Sequence, residues 1–196
     1  MANYHDIKYN VDYAGNAGVL MPLASTTASS DATISFTSGI DSTYDEYLLI
    51  WNDLHPEDNG DGKIAVQATT DGSNFNVTLT TTVFYAYNNE GDDSRGLTYH
   101  TGSDSAQGTA LAPLTAGGTG NDNDQSTSGW LKLYNPSSTT FVKQFISRCC
   151  NYQDSDYTND GHAAGYFNTT SAITGIRLAF TSGDVDAGTV QLFGVH

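Results

Sequence analysis

Residues 64–79, Ile-Ala-Val-Gln-Ala-Thr-Thr-Asp-Gly-Ser-Asn-Phe-Asn-Val-Thr-Leu, carry the clearest structural pattern of the chain. Apolar and polar residues alternate on both sides of the Asp71-Gly72 pair, as in half-buried β-strands. The alternating apolar positions are Ile64, Val66 and Ala68 before the pair and Phe75, Val77 and Leu79 after it. Because Asp-Gly readily adopts the positive φ of a tight turn, this stretch predicts a β-hairpin.

Short segments of the same kind follow one another from residue 32 onward. Tyr47–Trp51 is apolar at every position, which predicts a central strand covered on both faces. Further strands are predicted at 32–36, 83–87, 97–100, 130–134, 141–146, 173–180 and 190–195. A total of about nine or ten short strands separated by turns predicts an all-β fold, an antiparallel β-sandwich of the jelly-roll type. The residues expected to share its core are Ile34, Phe36, Leu49, Ile64, Val66, Phe75, Val77, Ile176, Leu178, Val190 and Leu192.

Composition restricts the possible partners. The chain has 196 residues and a net charge of −15, with no basic run, which argues against nucleic acid or an anionic membrane surface. No apolar stretch approaches the ~20 residues of a membrane-spanning helix. The first residues lack the charged and apolar regions of a secretory signal, so we expect folding in a cytoplasm.

The two cysteines, Cys149 and Cys150, are adjacent in the sequence. Neighbouring Cα atoms lie ~3.8 Å apart, closer than a relaxed disulfide requires. We therefore expect two reduced thiols on one strand, one facing the core and the other facing solvent.

Residues 1–31 differ from the rest of the chain. No period of 2 or 3.6 runs through them, so we interpret 1–31 as an N-terminal arm and linker and 32–196 as the sandwich domain. The arm contains more large apolar residues than a solvated linker needs, so we expect it to bind a partner. Its candidate partner-binding residues are Tyr4, Tyr9, Tyr13, Val19, Leu20, Met21 and Leu23.

Two long polar segments, 91–129 and 151–164, are predicted as loops. Loops of such length in a compact domain usually serve binding or packing against a neighbour. The second contains Tyr152, Asp154 and Tyr157, which are candidate ligand-binding residues. Trp51, Trp130 and the many tyrosines are either core residues or platforms for sugar rings.

Asp58-Asn59-Gly60-Asp61-Gly62 is similar to a calcium loop, with Asp58, Asn59 and Asp61 as candidate ligands. The EF-hand pattern fails, because Ala68 stands where a bidentate Glu is required, and the same residues suit plain turns. No nucleophile motif accompanies the dispersed histidines. We therefore expect neither an enzyme nor a bound metal or cofactor.

Four segments, taken together and in order, resemble the small jelly-roll β-sandwich virion proteins of tailed bacteriophages. The first has Phe36, a Gly39-Ile40 turn and Tyr47-Leu48, and the last closes on Leu192-Phe193-Gly194, with Phe where that family usually has Tyr. The segments span 34–48, 134–143, 167–178 and 187–195.

The resemblance implies a virion protein, either a capsid decoration protein or a tail-fibre receptor-binding module. The chain has no long shaft, which favours decoration, with docking through the N-terminal arm. The implied partners are further copies of the chain, as a homotrimer, and the major capsid protein or a tail protein, with assembly in the host bacterial cytoplasm. The alternatives are a module that recognises host glycan and a free carbohydrate-binding domain of an enzyme system.

Overall fold

The computed structural model describes residues 20–60 and 62–195, which form twelve β-strands. Within these residues the one helical element is a 3₁₀ turn, Thr101–Ser103. The strands are β1 (Leu20–Thr27), β2 (Ile34–Phe36), β3 (Glu46–Pro56), β4 (Ile64–Thr69), β5 (Leu79–Asn89), β6 (Arg95–Tyr99), β7 (Ala112–Pro113), β8 (Thr127–Tyr134), β9 (Lys143–Tyr152), β10 (Tyr157–Phe167), β11 (Gly175–Phe180) and β12 (Val185–Val195).

The strands divide unequally between two antiparallel sheets. The large sheet has eight strands in the order β1-β12-β3-β8-β9-β10-β5-β6, and the small sheet has four in the order β2-β11-β4-β7. One core fills the space between them, so the predicted antiparallel β-sandwich is confirmed. The jelly-roll topology is not confirmed, because a jelly roll divides about eight strands between its two sheets.

Inward and outward residues alternate along the strands of the large sheet. In β9, Lys143, Phe145, Ser147 and Cys149 are buried while the residues that alternate with them are exposed. All the predicted core residues are buried except Phe75, which is half-buried with the Arg177 guanidinium 4.6 Å from its ring centroid. The period-2 pattern therefore identified the core correctly.

The turn at Asp71-Gly72 forms, but the predicted hairpin does not. Gly72 has φ +77°, and the Asp71 carboxylate accepts hydrogen bonds from the backbone N–H groups of Ser73 (2.8 Å) and Asn74 (2.7 Å). After the turn the chain crosses to the large sheet, where β5 pairs with β10 and β6. Across the turn Val77 N–H donates a hydrogen bond to Ala68 O (3.3 Å), but no ladder forms. β11 pairs along one edge of β4, and β7 pairs with the other edge at Ala65 and Val66.

The predicted boundary between an arm, 1–31, and a domain, 32–196, also needs correction. Leu20–Thr27 is a strand of the large sheet, paired with β12 from Leu20↔Val195 to Thr27↔Thr189. A bulge between Pro22 and Ala24 interrupts its alternation, which explains why the pattern gave no strand. The sandwich therefore begins no later than Leu20.

The two predicted loops contain much of the large sheet. Segment 91–129 includes β6, β7 and the start of β8, and segment 151–164 is a hairpin with a turn of four residues between β9 and β10. Part of β6 was predicted, as the strand at 97–100 within the first segment. The strand residues of 151–164 were missed because outward residues such as Thr158 and Asp160 are polar, which is permitted where a sheet face is not covered.

The cysteine prediction is confirmed. Both thiols are free, with Cys149 buried and Cys150 exposed on β9. Burial raises the pKa of the Cys149 thiol to about 12.

Truncating a core residue of the small sheet tests which of its residues face the core. Leu178 is 1% exposed on β11, so Leu178→Ala should lower the free energy of unfolding by roughly 2–5 kcal/mol. Phe141→Ala is the matched control, because Phe141 is 69% exposed on the β8–β9 loop and its truncation should cost under about 0.5 kcal/mol. Urea unfolding measures both, and equal losses would contradict the assignment.

Candidate functional site

The small sheet covers one face of the large sheet, and no second layer among residues 20–60 and 62–195 covers the opposite one. We call this opposite side the outer face. In β3, Tyr47, Leu49 and Trp51 are fully buried, whereas Leu48 and Ile50 point outward and are half-buried. The prediction that this strand is covered on both faces is therefore wrong, although its central place between β12 and β8 is correct.

Two adjacent cross-strand rows of side chains run over the outer face. The antiparallel register places their members directly opposite one another on neighbouring strands. The first row is Phe193, Leu48, Lys132, Ile146, Ala164 and Thr82, and the second is Gln191, Ile50, Trp130, Arg148, His162, Phe84 and Tyr99. Seven inter-strand spacings of ~4.8 Å make the face about 34 Å wide.

Several large apolar side chains on this face are well exposed. Leu97 is 72% exposed, Tyr99 56%, Ile146 46%, Phe84 43% and Trp130 37%. Large apolar side chains exposed together on one face of a sheet mark an interaction surface.

The charged side chains among these rows are paired with each other. Lys132 forms an ion pair with Glu46. The Arg148 guanidinium donates two hydrogen bonds of 2.8 Å to the Asp160 carboxylate, which lowers the pKa of Asp160. His162 stacks on Phe84 with ring centroids 4.8 Å apart, and its Nε2 lies 3.3 Å from Asp160 Oδ1. The central rows are therefore close to electrically neutral in a chain of net charge −15.

An apolar groove of about 340 Å³ lies at the β1 side of the outer face. It is lined by Leu20, Leu48, Ile50, Trp130, Val195 and the side chain of Lys132. Leu20, the first residue that the structure describes, is therefore part of this groove.

A second groove, the polar groove, has a volume of about 620 Å³ and lies where β9 ends and β10 begins. Its lining includes Asn88, Glu90, Ser128, Cys150, Tyr152 and Asp156. The Tyr152 hydroxyl donates a hydrogen bond to Glu90 Oε1 at 3.0 Å and lies 3.2 Å from Asp156 Oδ1. The Glu90 carboxylate stabilises the neutral phenol and raises the pKa of Tyr152 to about 12.

The candidate ligand-binding residues of the second loop do not form one site. Tyr152 lies in the polar groove, and Asp154 is in the turn between β9 and β10. Tyr157 points to the other face of the sheet, with its ring 6.0 Å from that of Tyr87. Of the two tryptophans, Trp51 is a core residue and only Trp130 is available on the surface.

The candidate partner-binding residues of the N-terminus fall into two groups. Leu20 and Met21 are 43% and 39% exposed at the edge of the large sheet, and Leu23 packs against the core. The others, Tyr4, Tyr9, Tyr13 and Val19, lie outside the described residues.

The calcium-like segment supplies turn contacts in this structure. The Ser182 hydroxyl donates a hydrogen bond to the Asp58 carboxylate, and the backbone N–H of Asn121 donates one of 3.4 Å to Asn59 Oδ1. Asp61 lies outside the described residues. Among the residues that the structure describes, no group of three or more metal-ligating side chains comes together.

One feature of the sequence could have predicted that the outer face carries apolar groups. In β9, Ile146 alternates with buried residues, so a large apolar group had to point away from the core. Leu97, Tyr99 and Phe84 gave no such signal, because their exposure depends on β6 being the last strand of the sheet.

No protein-family model, curated protein or solved structure matches the chain. The resemblance to phage virion proteins therefore stays a prediction, and the function has to be argued from the geometry of the outer face. Within the described residues there is no helix with the length and apolar character needed to cross a membrane.

The contact between Tyr152 and Glu90 gives a direct test of the polar groove. Glu90→Gln should lower the pKa of Tyr152 from about 12 toward its ordinary value near 10, because the phenolate no longer faces a carboxylate. Asp156→Asn is the control and should cause a smaller shift, since Glu90 is the principal cause. Tyrosine ring NMR measured against pH reports both, and an unchanged Tyr152 in Glu90→Gln would contradict this geometry.

Proposed function

We propose that the chain is a non-enzymatic structural subunit of a tailed-phage virion, of the capsid-decorating type. It docks through the outer face of the large sheet and through its N-terminal segment. Its partners are further copies of itself and another virion protein, such as the major capsid protein, and assembly takes place in the bacterial cytoplasm.

The observation that carries the proposal is the apolar, charge-paired outer face. Covering Ile146, Phe84 and Trp130 would remove apolar surface from water, at about 25 cal/mol per Å². The Arg148–Asp160 ion pair is already made within the face, so a partner has no unpaired charge to neutralise at that point. Such a surface suits a permanent protein partner better than a soluble ligand.

The free thiols and the acidic surface also support this proposal. Reduced Cys149 and Cys150 suit assembly in a reducing compartment. A net charge of −15 suits a subunit whose remaining surface stays in solvent and repels nucleic acid.

Placing a charge at the centre of the outer face tests this docking. Ile146→Asp and Trp130→Asp should each weaken binding to particles that lack the protein by at least about tenfold, because an unpaired carboxylate would be buried in the contact. Cosedimentation of purified variants with such particles measures the binding. Phe141→Asp, which changes an exposed apolar residue on the β8–β9 loop, is the control and should bind as the unchanged chain does.

Each of these variants must be folded for the comparison to be valid, and near-UV circular dichroism and thermal unfolding can verify that. Wild-type binding by Ile146→Asp and Trp130→Asp would contradict docking through the outer face. A deletion used to test the N-terminal segment should end at Val19, because removing residues 20–23 would destroy half of β1.

The polar groove supports a second candidate function, a receptor-binding module for host glycan. Its amide, hydroxyl and carboxylate groups around Tyr152 are the groups that bind sugar hydroxyls. On a glycan array, this function predicts binding that Tyr152→Ala abolishes and Tyr157→Ala, on the other face of the sheet, leaves unchanged. Absence of binding to the array, together with binding to particles, would favour decoration.

A further inference from the structure

The two edges of the large sheet differ in how well they are protected. At one edge, β1 contains Pro22, which has no N–H, and its register shifts between Pro22 and Ala24. At the other edge, β6 has neither proline nor bulge, and its register with β5 is unbroken from Phe84↔Tyr99 to Asn88↔Arg95. Natural sheets usually block an exposed edge with such features, so β6 is the edge open to strand addition.

The backbone of β6 shows which groups are free. The His100 N–H donates to Val83 O (2.9 Å), and Ser94 O accepts from the Asn89 N–H (3.1 Å). In an antiparallel ladder this places the backbone groups of the even-numbered residues toward β5 and those of Arg95, Leu97 and Tyr99 toward the open edge. The side chains of Leu97 and Tyr99 lie on the outer face at this edge, 72% and 56% exposed.

The N-terminal segment contains a sequence suited to that edge. Apolar residues alternate with Lys8, Asn10 and Asp12 over the seven residues 7–13. The apolar positions are Ile7, Tyr9, Val11 and Tyr13. β-branched and aromatic residues at period 2 are typical of a strand with one apolar side, a pattern too short to extend through the whole of 1–31.

The length of chain between this run and β1 identifies which copy can receive it. The seven steps from Tyr13 to Leu20 span at most about 25 Å, even when fully extended. β1 and β6 are at opposite edges of the large sheet, seven strand spacings or about 34 Å apart. The run therefore cannot reach β6 of its own subunit, whereas β6 of a neighbouring copy is not subject to this limit.

We propose that residues 7–13 of one copy add as a strand to the open edge of β6 in the next copy. The apolar residues of the run then extend the outer face beside Leu97 and Tyr99. Each copy gives one strand and receives one, which is a head-to-tail contact that closes into a ring when the rotation permits. The inference rests on the proposed self-assembly of the chain and identifies the surfaces that carry it out.

Two variants remove the two halves of this contact separately. Deleting residues 2–13 removes the donated strand. Leu97→Pro removes an N–H that points to the open edge and leaves the ladder with β5 intact. Native mass spectrometry should show a closed oligomer for the full chain and monomers for both variants. Phe141→Lys, at an exposed residue of the β8–β9 loop, is the control and should remain oligomeric, whereas Leu97→Lys should not.

Mixing the two variants distinguishes exchange between copies from other contacts. The deletion variant keeps the receiving edge and Leu97→Pro keeps the donated strand, so a mixture should form a heterodimer and nothing larger. Amide hydrogen exchange at Leu97 and Tyr99 should slow at least tenfold in the full chain relative to the deletion variant.

Three results would overturn the inference: a monomeric full chain, an oligomer that survives both changes, or loss of the oligomer with Leu97→Pro but not with the deletion. The last would indicate pairing of β6 with β6. All of these measurements use purified chain, so particle binding by a monomeric variant would leave the proposed function standing while this inference failed.

Discussion

The unequal size of the two sheets is the constraint on which the rest of the structure depends. Four strands can cover only part of one face of an eight-stranded sheet, so the strands of the large sheet beneath the small sheet have one side in the core and one side in solvent, and the edge strand β6 has no buried residue. The inner side supplies the hydrophobic stabilisation, through fully buried groups such as Tyr47, Leu49 and Trp51. The outer side is free of packing requirements, and its composition reflects interaction and solubility instead of folding.

Charge is distributed in keeping with this division. Many carboxylates, such as those of Asp71, Asp122 and Asp184, lie in turns and loops, where they accept backbone hydrogen bonds or face water. On the outer face, by contrast, Asp160 and Glu46 are neutralised by Arg148 and Lys132. The molecule therefore combines a strongly acidic rim with a nearly neutral face, and this contrast limits which surface a partner can approach.

Local pattern predicted the core better than it predicted the connections. Alternation at Ile64, Val66, Ile176 and Leu178 identified inward residues correctly, because period 2 is a direct consequence of strand geometry. Whether β4 and β5 pair depends also on β11 and β7, which are distant in sequence and which no local pattern can include.

Lys143 is a second feature that local pattern could not predict. It occupies an inward position and is fully buried, with Nζ donating to Thr169 O (3.0 Å) and Ser171 O (2.7 Å). Apart from Ile146, the outer face could not be predicted from the sequence, since it depends on which strands the small sheet leaves uncovered.

The pairing of β1 with β12 has a consequence for folding. β12 lies between β1 and β3, so this side of the large sheet is incomplete until residues 185–195 have joined it. Until then β3, with its long apolar run, has an unpaired side, and β1 has no described neighbour at all. Folding should therefore be slow for the size of the domain, because its pairings join residues far apart in sequence. A chain that lacks residues 185–195 would present open apolar strand edges, so loss of β12 should produce aggregates instead of partly functional protein.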